Sequence, residues 1–121
     1  MTACYHRGSM IYKLLRRAEW EAFEAAARFE GSAADRADGF IHFSTASQVP
    51  ETAAKHFAAA GELVLAEVDP ARLGSPPKWE PSRGGRLFPH LYAALPLSAV
   101  TRTWPLVPGP DGRHPIPEDL L

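Results

Sequence analysis

The chain has 121 residues, a net charge of −1 and a hydrophobic fraction of 45%. This length predicts one domain with a single core, and the hydrophobic fraction excludes a chain that is disordered throughout. The balanced charge excludes a broad nucleic-acid or membrane surface held by electrostatic attraction. Cys4 is the only cysteine, which excludes an internal disulfide or a multi-cysteine zinc site. No signal peptide or membrane-length apolar run is visible, so we expect a cytoplasmic protein.

The first predicted elements follow residues 1–9, which show no hydrophobic periodicity and are expected to form a loose arm. A short strand is predicted over 11–15. The Ala- and Glu-rich segment 17–28 predicts a helix, because its aromatic residues repeat at helical spacing. Residues 30–38 are polar and predict a connection.

The segment 39–44 predicts the second strand, in which alternation places His42 and Ser44 on one face. A second helix is predicted over 47–60. Gly61 follows directly, in the position where helices commonly end.

The back half of the chain is rich in proline, since eleven of the twelve prolines lie at or after position 70. Its predicted elements are a strand over 63–68, a long loop over 72–87, and strands over 90–95 and 100–106. Residues 108–121 predict a Pro-rich tail whose removal leaves the fold intact. Strands and helices alternate early and strands follow one another late, which predicts one α+β domain over 10–107 with two helices and a small mixed sheet.

His42 and Ser44 are the first candidates for chemistry, because histidine transfers protons near neutral pH. The alternative is a half-buried histidine beside a serine that caps the following helix. A triad of Ser44, His42 and Glu80 can also be drawn, although no G-x-S-x-G motif accompanies it. His6, His56 and His114 are expected to be solvated, and no metal site is predicted.

The long loop supplies further candidates, because Trp79, Glu80 and Arg83 combine a ring, a carboxylate and a guanidinium. Such a set can hold a phosphate or a flat ring, and the alternative is a surface loop anchored by its tryptophan. Next along the chain, His90 and Tyr92 are predicted to share a strand face. Their alternative role is packing at the start of that strand.

Several segments together resemble a known bacterial family. They are the segments 11–13, 38–44 and 88–92, together with Gln48 and Thr52. Occurring in this order, they are similar to the family called domain of unknown function 952 (DUF952) over about residues 10–106, and the residues around 79–83 look like its loop.

The resemblance implies the ADP-ribosyltransferase-like fold, in which a small split sheet clasps a dinucleotide. By this likeness Lys13 stands where the superfamily carries His or Arg, and 39–44 matches the second motif strand. The third motif strand normally supplies a catalytic glutamate, whereas 88–92 contains no acid. RNA 2′-phosphotransferases of the same superfamily bind nucleotides without that glutamate.

Residue pattern and resemblance therefore predict one cleft that binds NAD, ADP-ribose or another nucleotide, with transferase activity as the expected reaction type. The expected catalytic residues are His42, Ser44 and His90, and the expected ligand-binding residues are Lys13, Trp79, Glu80, Arg83 and Tyr92. One alternative is a non-catalytic interaction or regulatory domain on a degenerate transferase scaffold, as the missing glutamate and Lys13 indicate. Another is a hydrolase that uses Ser44.

Overall fold

Two three-stranded antiparallel sheets and one two-stranded ribbon form the frame of the protein. The structure is a computed structural model that describes residues 10–120, so the expected arm over 1–9 lies outside the described residues. The strands are β1 (Ile11–Arg16), β2 (Arg28–Phe29), β3 (Ile41–His42), β4 (Leu63–Val68), β5 (Lys78–Pro81), β6 (Leu87–Leu91), β7 (Leu95–Pro96) and β8 (Val100–Leu106). The helices are α1 (Arg17–Ala26), α2 (Ala33–Asp38) and α3 (Val49–His56).

The first sheet has the order β1-β4-β8, and its central strand β4 is buried along its whole length. Because successive side chains of a strand point to opposite faces of the sheet, the strands contribute to two hydrophobic clusters, one on each face. Ile11 and Leu15 belong to the cluster that includes Phe23 of α1. Leu14 belongs to the cluster that includes Val49 of α3. The sheet is therefore covered on both faces.

The second sheet has the order β3-β6-β5, and in it His42 pairs with His90. It joins the first sheet at a single bridge between Tyr12 and Ser44, where each backbone N–H donates to the other residue's carbonyl at 2.8 Å. This bridge brings the side chains of β1 close to those that follow β3. The predicted α+β class is confirmed, whereas the described strands pair only antiparallel rather than in the small mixed sheet that was predicted, and three α-helices stand where two were predicted.

Three predicted strands agree with the structure, and β4 and β8 agree to the residue. The first helix ends earlier than predicted, because Ala27 adopts a left-handed conformation with φ of 59° and terminates α1. The second helix also ends early, at His56 rather than at residue 60. Its first turn, Ala46–Gln48, is a 3₁₀ helix.

Two predicted loops contain regular structure. The connection over 30–38 holds α2, whose start is fixed by a capping box between Ser32 and Asp35. The loop over 72–87 holds β5, which pairs with β6 and is mostly exposed. The strand predicted over 90–95 is shifted, because β6 begins at Leu87 and ends at Leu91.

The tail packs against the domain. Leu120 belongs to a core cluster, and Asp119 pairs with Arg102 at 3.0 Å. His114 is only 8% exposed, and its Nε2 lies 2.5 Å from the carbonyl oxygen of Gly61. The expectation that His114 is solvated is therefore wrong. We also revise the expectation that removing 108–121 leaves the fold intact, because the truncation would expose part of the core.

Candidate functional site

A cleft of about 300 Å³ opens where β1 of the first sheet meets β3 and β6 of the second. Four of the predicted site residues line it, namely Lys13, His42, Ser44 and His90. Helices α2 and α3 contribute further polar side chains to its wall, among them Asp38 and Thr52. The single bridge between the two sheets creates this space, because the strands diverge on either side of it.

Lys13 lies beside the cleft with its ammonium group fully occupied. Its Nζ donates to Oδ2 of Asp35 at 2.9 Å, to Oδ1 of Asp35 at 3.1 Å and to the carbonyl oxygen of His42 at 2.9 Å. An ammonium group has three protons, so these acceptors use all of them. Burial lowers the pKa of Lys13, and the charge of Asp35 opposes that shift. In this structure Lys13 ties β1 to α2 and β3 and leaves no donor for a ligand.

Asp35 is the centre of this group of charges, and it is 2% exposed. Besides Lys13, it accepts bonds from the backbone N–H groups of Ser32 at 2.9 Å and His42 at 3.1 Å. Burial alone would raise the pKa of this carboxyl. The hydrogen bond from the His42 ring and the charge of Lys13 outweigh burial and hold the pKa well below its usual range. Asp35 is therefore an anion at neutral pH.

His42 has a carboxylate at each ring nitrogen. Its Nδ1 lies 2.6 Å from Oδ1 of Asp35, and its Nε2 lies 2.8 Å from Oδ2 of Asp38. Because carboxylates only accept hydrogen bonds, donation to both requires a proton on both nitrogens. In this arrangement His42 has no nitrogen left to accept a proton. We call Lys13, Asp35, His42 and Asp38 the closed cluster.

The predicted triad of Ser44, His42 and Glu80 is not assembled. Oγ of Ser44 lies 3.1 Å from Oγ1 of Thr52, the ring of His42 is engaged by carboxylates of α2, and Glu80 contacts His90 instead. Nothing in this geometry activates Ser44 as a nucleophile, which needs a base within hydrogen-bond reach.

His90 is buried on β6, and a carboxylate engages only one of its ring nitrogens. Its Nδ1 lies 2.7 Å from Oε1 of Glu80 on β5, and the hydroxyl of Tyr92 donates to the same oxygen at 2.8 Å. The hydrogen bond from His90 and then that from Tyr92 lower the pKa of Glu80. Within residues 10–120, the hydrogen bonds of the His90 ring involve Nδ1 alone. The ring lines the cleft, so Nε2 is the nitrogen left for a ligand.

Phe40 fixes the plane of the His90 ring. The two rings stack with centroids 4.0 Å apart and an angle of 24° between their planes. Phe40 also contacts the rings of His42, at 4.7 Å, and Tyr92, at 5.2 Å. Phe40 therefore contacts both histidines that pair with each other in the register of β3 and β6.

Three further residues that were predicted to bind the ligand, Trp79, Glu80 and Tyr92, are not among those that line the cleft. Trp79 and Tyr92 are each 48% exposed. Trp79 precedes Glu80 on β5, so strand alternation directs the two side chains to opposite faces. Glu80 reaches the site only through His90. The side chain of Arg83 lies outside the described part of the chain.

The residues of the cleft wall that sequence reasoning missed include two carboxylates, a guanidinium and an aromatic ring. Asp35 and Asp38 were hidden in a segment predicted as a connection, although the Ser-x-x-Asp spacing from Ser32 was a helix-start signal. Arg16 and Phe57 also line the cleft, with the guanidinium of Arg16 5.1 Å from the ring centroid of Phe57. No local motif pointed to this last pair, because it joins the end of β1 to the residue after α3.

The described residues form neither a metal-binding cluster nor a membrane-spanning helix. No group of three or more His, Cys, Asp or Glu side chains within 10–120 is arranged to hold a metal ion. Over the same residues, every helix is too short or too polar to cross a membrane.

The chain is similar to known proteins in sequence and in structure. The model of a family described as "Protein of unknown function (DUF952)" matches residues 14–103. A crystal structure of protein CC0527 from Caulobacter crescentus is 52% identical, covers 92% of this chain and 97% of its own, and superposes with a TM-score of 0.85. The solution NMR structure of CC0527 is 54% identical over 87% of this chain and 90% of its own, with a TM-score of 0.76. No functionally curated protein matches the chain.

Proposed function

The chain belongs to the DUF952 family, and we propose that its cleft binds a nucleotide-type ligand such as NAD or ADP-ribose. The observation that carries this proposal is the composition of the cleft wall. Phe57 and Phe88 supply aromatic surface, Arg16 supplies a guanidinium, and His90 supplies a ring nitrogen that has no hydrogen-bond partner in the described part of the chain. A volume of about 300 Å³ is at the small end of known ligand sites.

The charges of the wall favour an anionic ligand. Both carboxylates of the closed cluster are engaged inside it, since Asp35 contacts Lys13 and His42, and Asp38 contacts His42. Arg16 has no ion-pair partner among residues 10–120. Its guanidinium is therefore the group best suited to a phosphate, which it can engage through two parallel hydrogen bonds.

Aromatic surface next to that cation suits the flat part of a nucleotide. Phe57 lies beneath the guanidinium of Arg16, and Phe88 lies on β6 two residues before His90. A base packed against one of these rings would place its phosphates near Arg16. This arrangement assigns the ring contact to Phe57 or Phe88, whereas sequence reasoning assigned it to Trp79 or Tyr92.

A group-transfer reaction on such a ligand would use His90 as its proton carrier, because His90 combines burial, a carboxylate at Nδ1 and access to the cleft through Nε2. Ser44 would contribute a hydroxyl to the wall. Lys13 and His42 would hold the wall in place, since their polar groups are engaged within the closed cluster.

The second candidate is a non-catalytic interaction or regulatory domain on a degenerate transferase scaffold. The observation that favours it is the closed cluster, in which Lys13 and His42 are saturated by internal partners. This candidate predicts that substitutions in the cleft change only stability, and that NAD, ADP-ribose and phosphorylated nucleotides do not bind.

Adjacent arginines allow a matched test of ligand binding. Arg16 lines the cleft, whereas Arg17 is exposed and pairs with Glu21 and Glu62. Thermal unfolding would be followed with millimolar NAD, ADP-ribose and a 2′-phosphorylated nucleotide for wild type, Arg16→Ala and Arg17→Ala. A ligand at 100 times its Kd stabilises the folded state by about 2.7 kcal/mol.

We expect one of these ligands to raise Tm of the wild type and of Arg17→Ala, and to raise Tm of Arg16→Ala much less. No shift of wild type with any of the three would contradict nucleotide binding. Equal ligand-induced shifts of Tm for all three proteins would show that Arg16 does not take part in binding.

A further inference from the structure

We propose that Nε2 of His90 accepts a hydrogen bond from a hydroxyl group of the bound ligand, and that Glu80 is the positioning residue that holds the proton of the neutral ring on Nδ1. The proposal rests on the proposed function and specifies which part of the ligand lies at this end of the cleft. Its substrate class is a nucleotide whose sugar presents a free hydroxyl.

Strand register sets the contact between the two side chains. Lys78 pairs with His90 and Glu80 pairs with Phe88, so Glu80 lies diagonally across from His90 on the same face of the sheet. The Oε1–Nδ1 distance of 2.7 Å is that of a charge-assisted hydrogen bond. The backbone ladder between β5 and β6 therefore holds the carboxylate at Nδ1.

The chemistry of the partner determines which nitrogen carries the proton. Oε1 of Glu80 already accepts from the hydroxyl of Tyr92, and both hydrogen bonds favour the ionised carboxylate. A carboxylate cannot donate, so His90 donates from Nδ1, and the neutral ring carries its lone pair on Nε2. The other charged or titratable groups near the ring are Lys78, opposite it on β5, and His42, edge-on at 5.6 Å on β3.

The plane of the ring is also fixed, because Phe40 stacks on it at 4.0 Å. The lone pair therefore has a constant direction in the cleft wall. A ligand group at this point has to donate a hydrogen bond. Phosphate and carboxylate oxygens are acceptors and do not fit, whereas a sugar hydroxyl does. With phosphate at Arg16 and a hydroxyl at His90, the ligand has one orientation in the cleft.

Histidine tautomers can be read directly in the free protein. Long-range ¹H–¹⁵N NMR correlations of the ¹⁵N-labelled chain at pH 8 would identify the protonated nitrogen of each ring, with His90→Gln used to assign the signals. We expect wild type to carry the proton of His90 on Nδ1. In Glu80→Gln the side-chain amide can donate to Nδ1, so the proton is expected to move to Nε2.

Glu51→Gln is the matched control, because Glu51 is a carboxylate on α3 that pairs with Arg86 and Lys55 and does not contact His90. It is expected to leave the tautomer of His90 unchanged. A wild-type ring protonated on Nε2 would overturn the proposal, and so would a Glu80→Gln ring that keeps the wild-type tautomer.

Calorimetric titration with ADP-ribose tests the hydroxyl contact. We expect Glu80→Gln to bind about tenfold more weakly than wild type, since two donors then face each other at Nε2, and Glu51→Gln to bind as wild type does. Equal binding by wild type and a Glu80→Gln protein with a switched tautomer would overturn the hydroxyl contact while nucleotide binding stands. Absence of binding by wild type to both ADP-ribose and NAD would overturn the proposed function and the hydroxyl contact with it.

Discussion

His42 and His90 are paired residues of neighbouring strands in the same cleft, yet their surroundings differ. His42 lies in the closed cluster, where a carboxylate engages each nitrogen. His90 lines the cleft and has one carboxylate partner, Glu80, while its second nitrogen has no hydrogen bond among residues 10–120. The difference indicates that one histidine holds the two sheets and α2 together, whereas the other is available to a ligand. Residue type and strand position alone do not distinguish these roles.

The largest effect is expected from opening the closed cluster. Asp35→Ala leaves buried Lys13 without its carboxylate and His42 without one of its two, and removing one partner of a buried ion pair costs about 3–5 kcal/mol. Urea unfolding would measure this loss. Asp38→Ala is the control, because the Asp38 side chain is 55% exposed and contacts only His42 within the closed cluster, so a loss of at most about 1 kcal/mol is expected. Similar losses for both variants would show that the cluster does not stabilise the fold through Asp35.

Truncation in the tail gives a loss of stability that is independent of both histidines. Leu120→Ala removes a buried side chain that packs with Leu14 and Val49, and we expect a loss of roughly 2–4 kcal/mol. Denaturant unfolding together with the histidine NMR spectrum would check it. A change in the tautomer of His90 would indicate that the comparison of the two histidines depends on global stability.

The two histidines are expected to separate stability from binding. His42→Ala removes hydrogen bonds to two carboxylates and should lower stability by about 1.5–3 kcal/mol. His90→Ala should cost less, because Glu80 is partly exposed and can be solvated. Affinity for ADP-ribose should show the reverse order, with a loss of about tenfold for His90→Ala and a smaller one for His42→Ala. The same order for stability and affinity would contradict the separation.

Acid should reduce the stability that the closed cluster contributes to the fold. The pKa of Asp35 is lowered in the folded state, so its contribution is present above its unfolded pKa, about 3.9, and is lost as pH falls further. Urea unfolding of wild type and Asp35→Ala at pH 6 and pH 3 should show a smaller difference at pH 3. The pKa values of Glu51 and Glu80 are lowered as well. Because this holds in wild type and in Asp35→Ala alike, their contributions to the pH dependence cancel in the difference between the two proteins. A difference in unfolding free energy between the two proteins that is larger at pH 3 than at pH 6 would contradict this prediction.

The secondary structure could be predicted from the sequence where a whole strand is buried. It could not be predicted where an element is held by pairing with residues far away in the chain. Strand β4 is buried along its whole length, is apolar except for Glu67, and was predicted to the residue. Helix α2 has six residues and no apolar stripe, so only its capping signal indicated it. Strand β5 is an exposed edge flanked by prolines and is held by pairing with β6, which no local pattern reveals.

The site was predictable to the same extent. Strand alternation and the family resemblance together predicted that His42, Ser44 and His90 lie at one cleft, and all three line it. The contact between His42 and Asp35 was not predictable, because it requires α2 to fold back against β3. The distinct roles of the two histidines follow from these long-range partners rather than from their own sequence positions.

The most direct test is a titration of the ¹⁵N-labelled protein with ADP-ribose, followed at the ring nitrogens of both histidines. We expect the Nε2 resonance of His90 to shift with the bound fraction, while both nitrogens of His42 stay near their free positions because Asp35 and Asp38 keep them engaged. A saturable shift at His42 with none at His90 would contradict the assignment of His90 as the ligand-facing histidine.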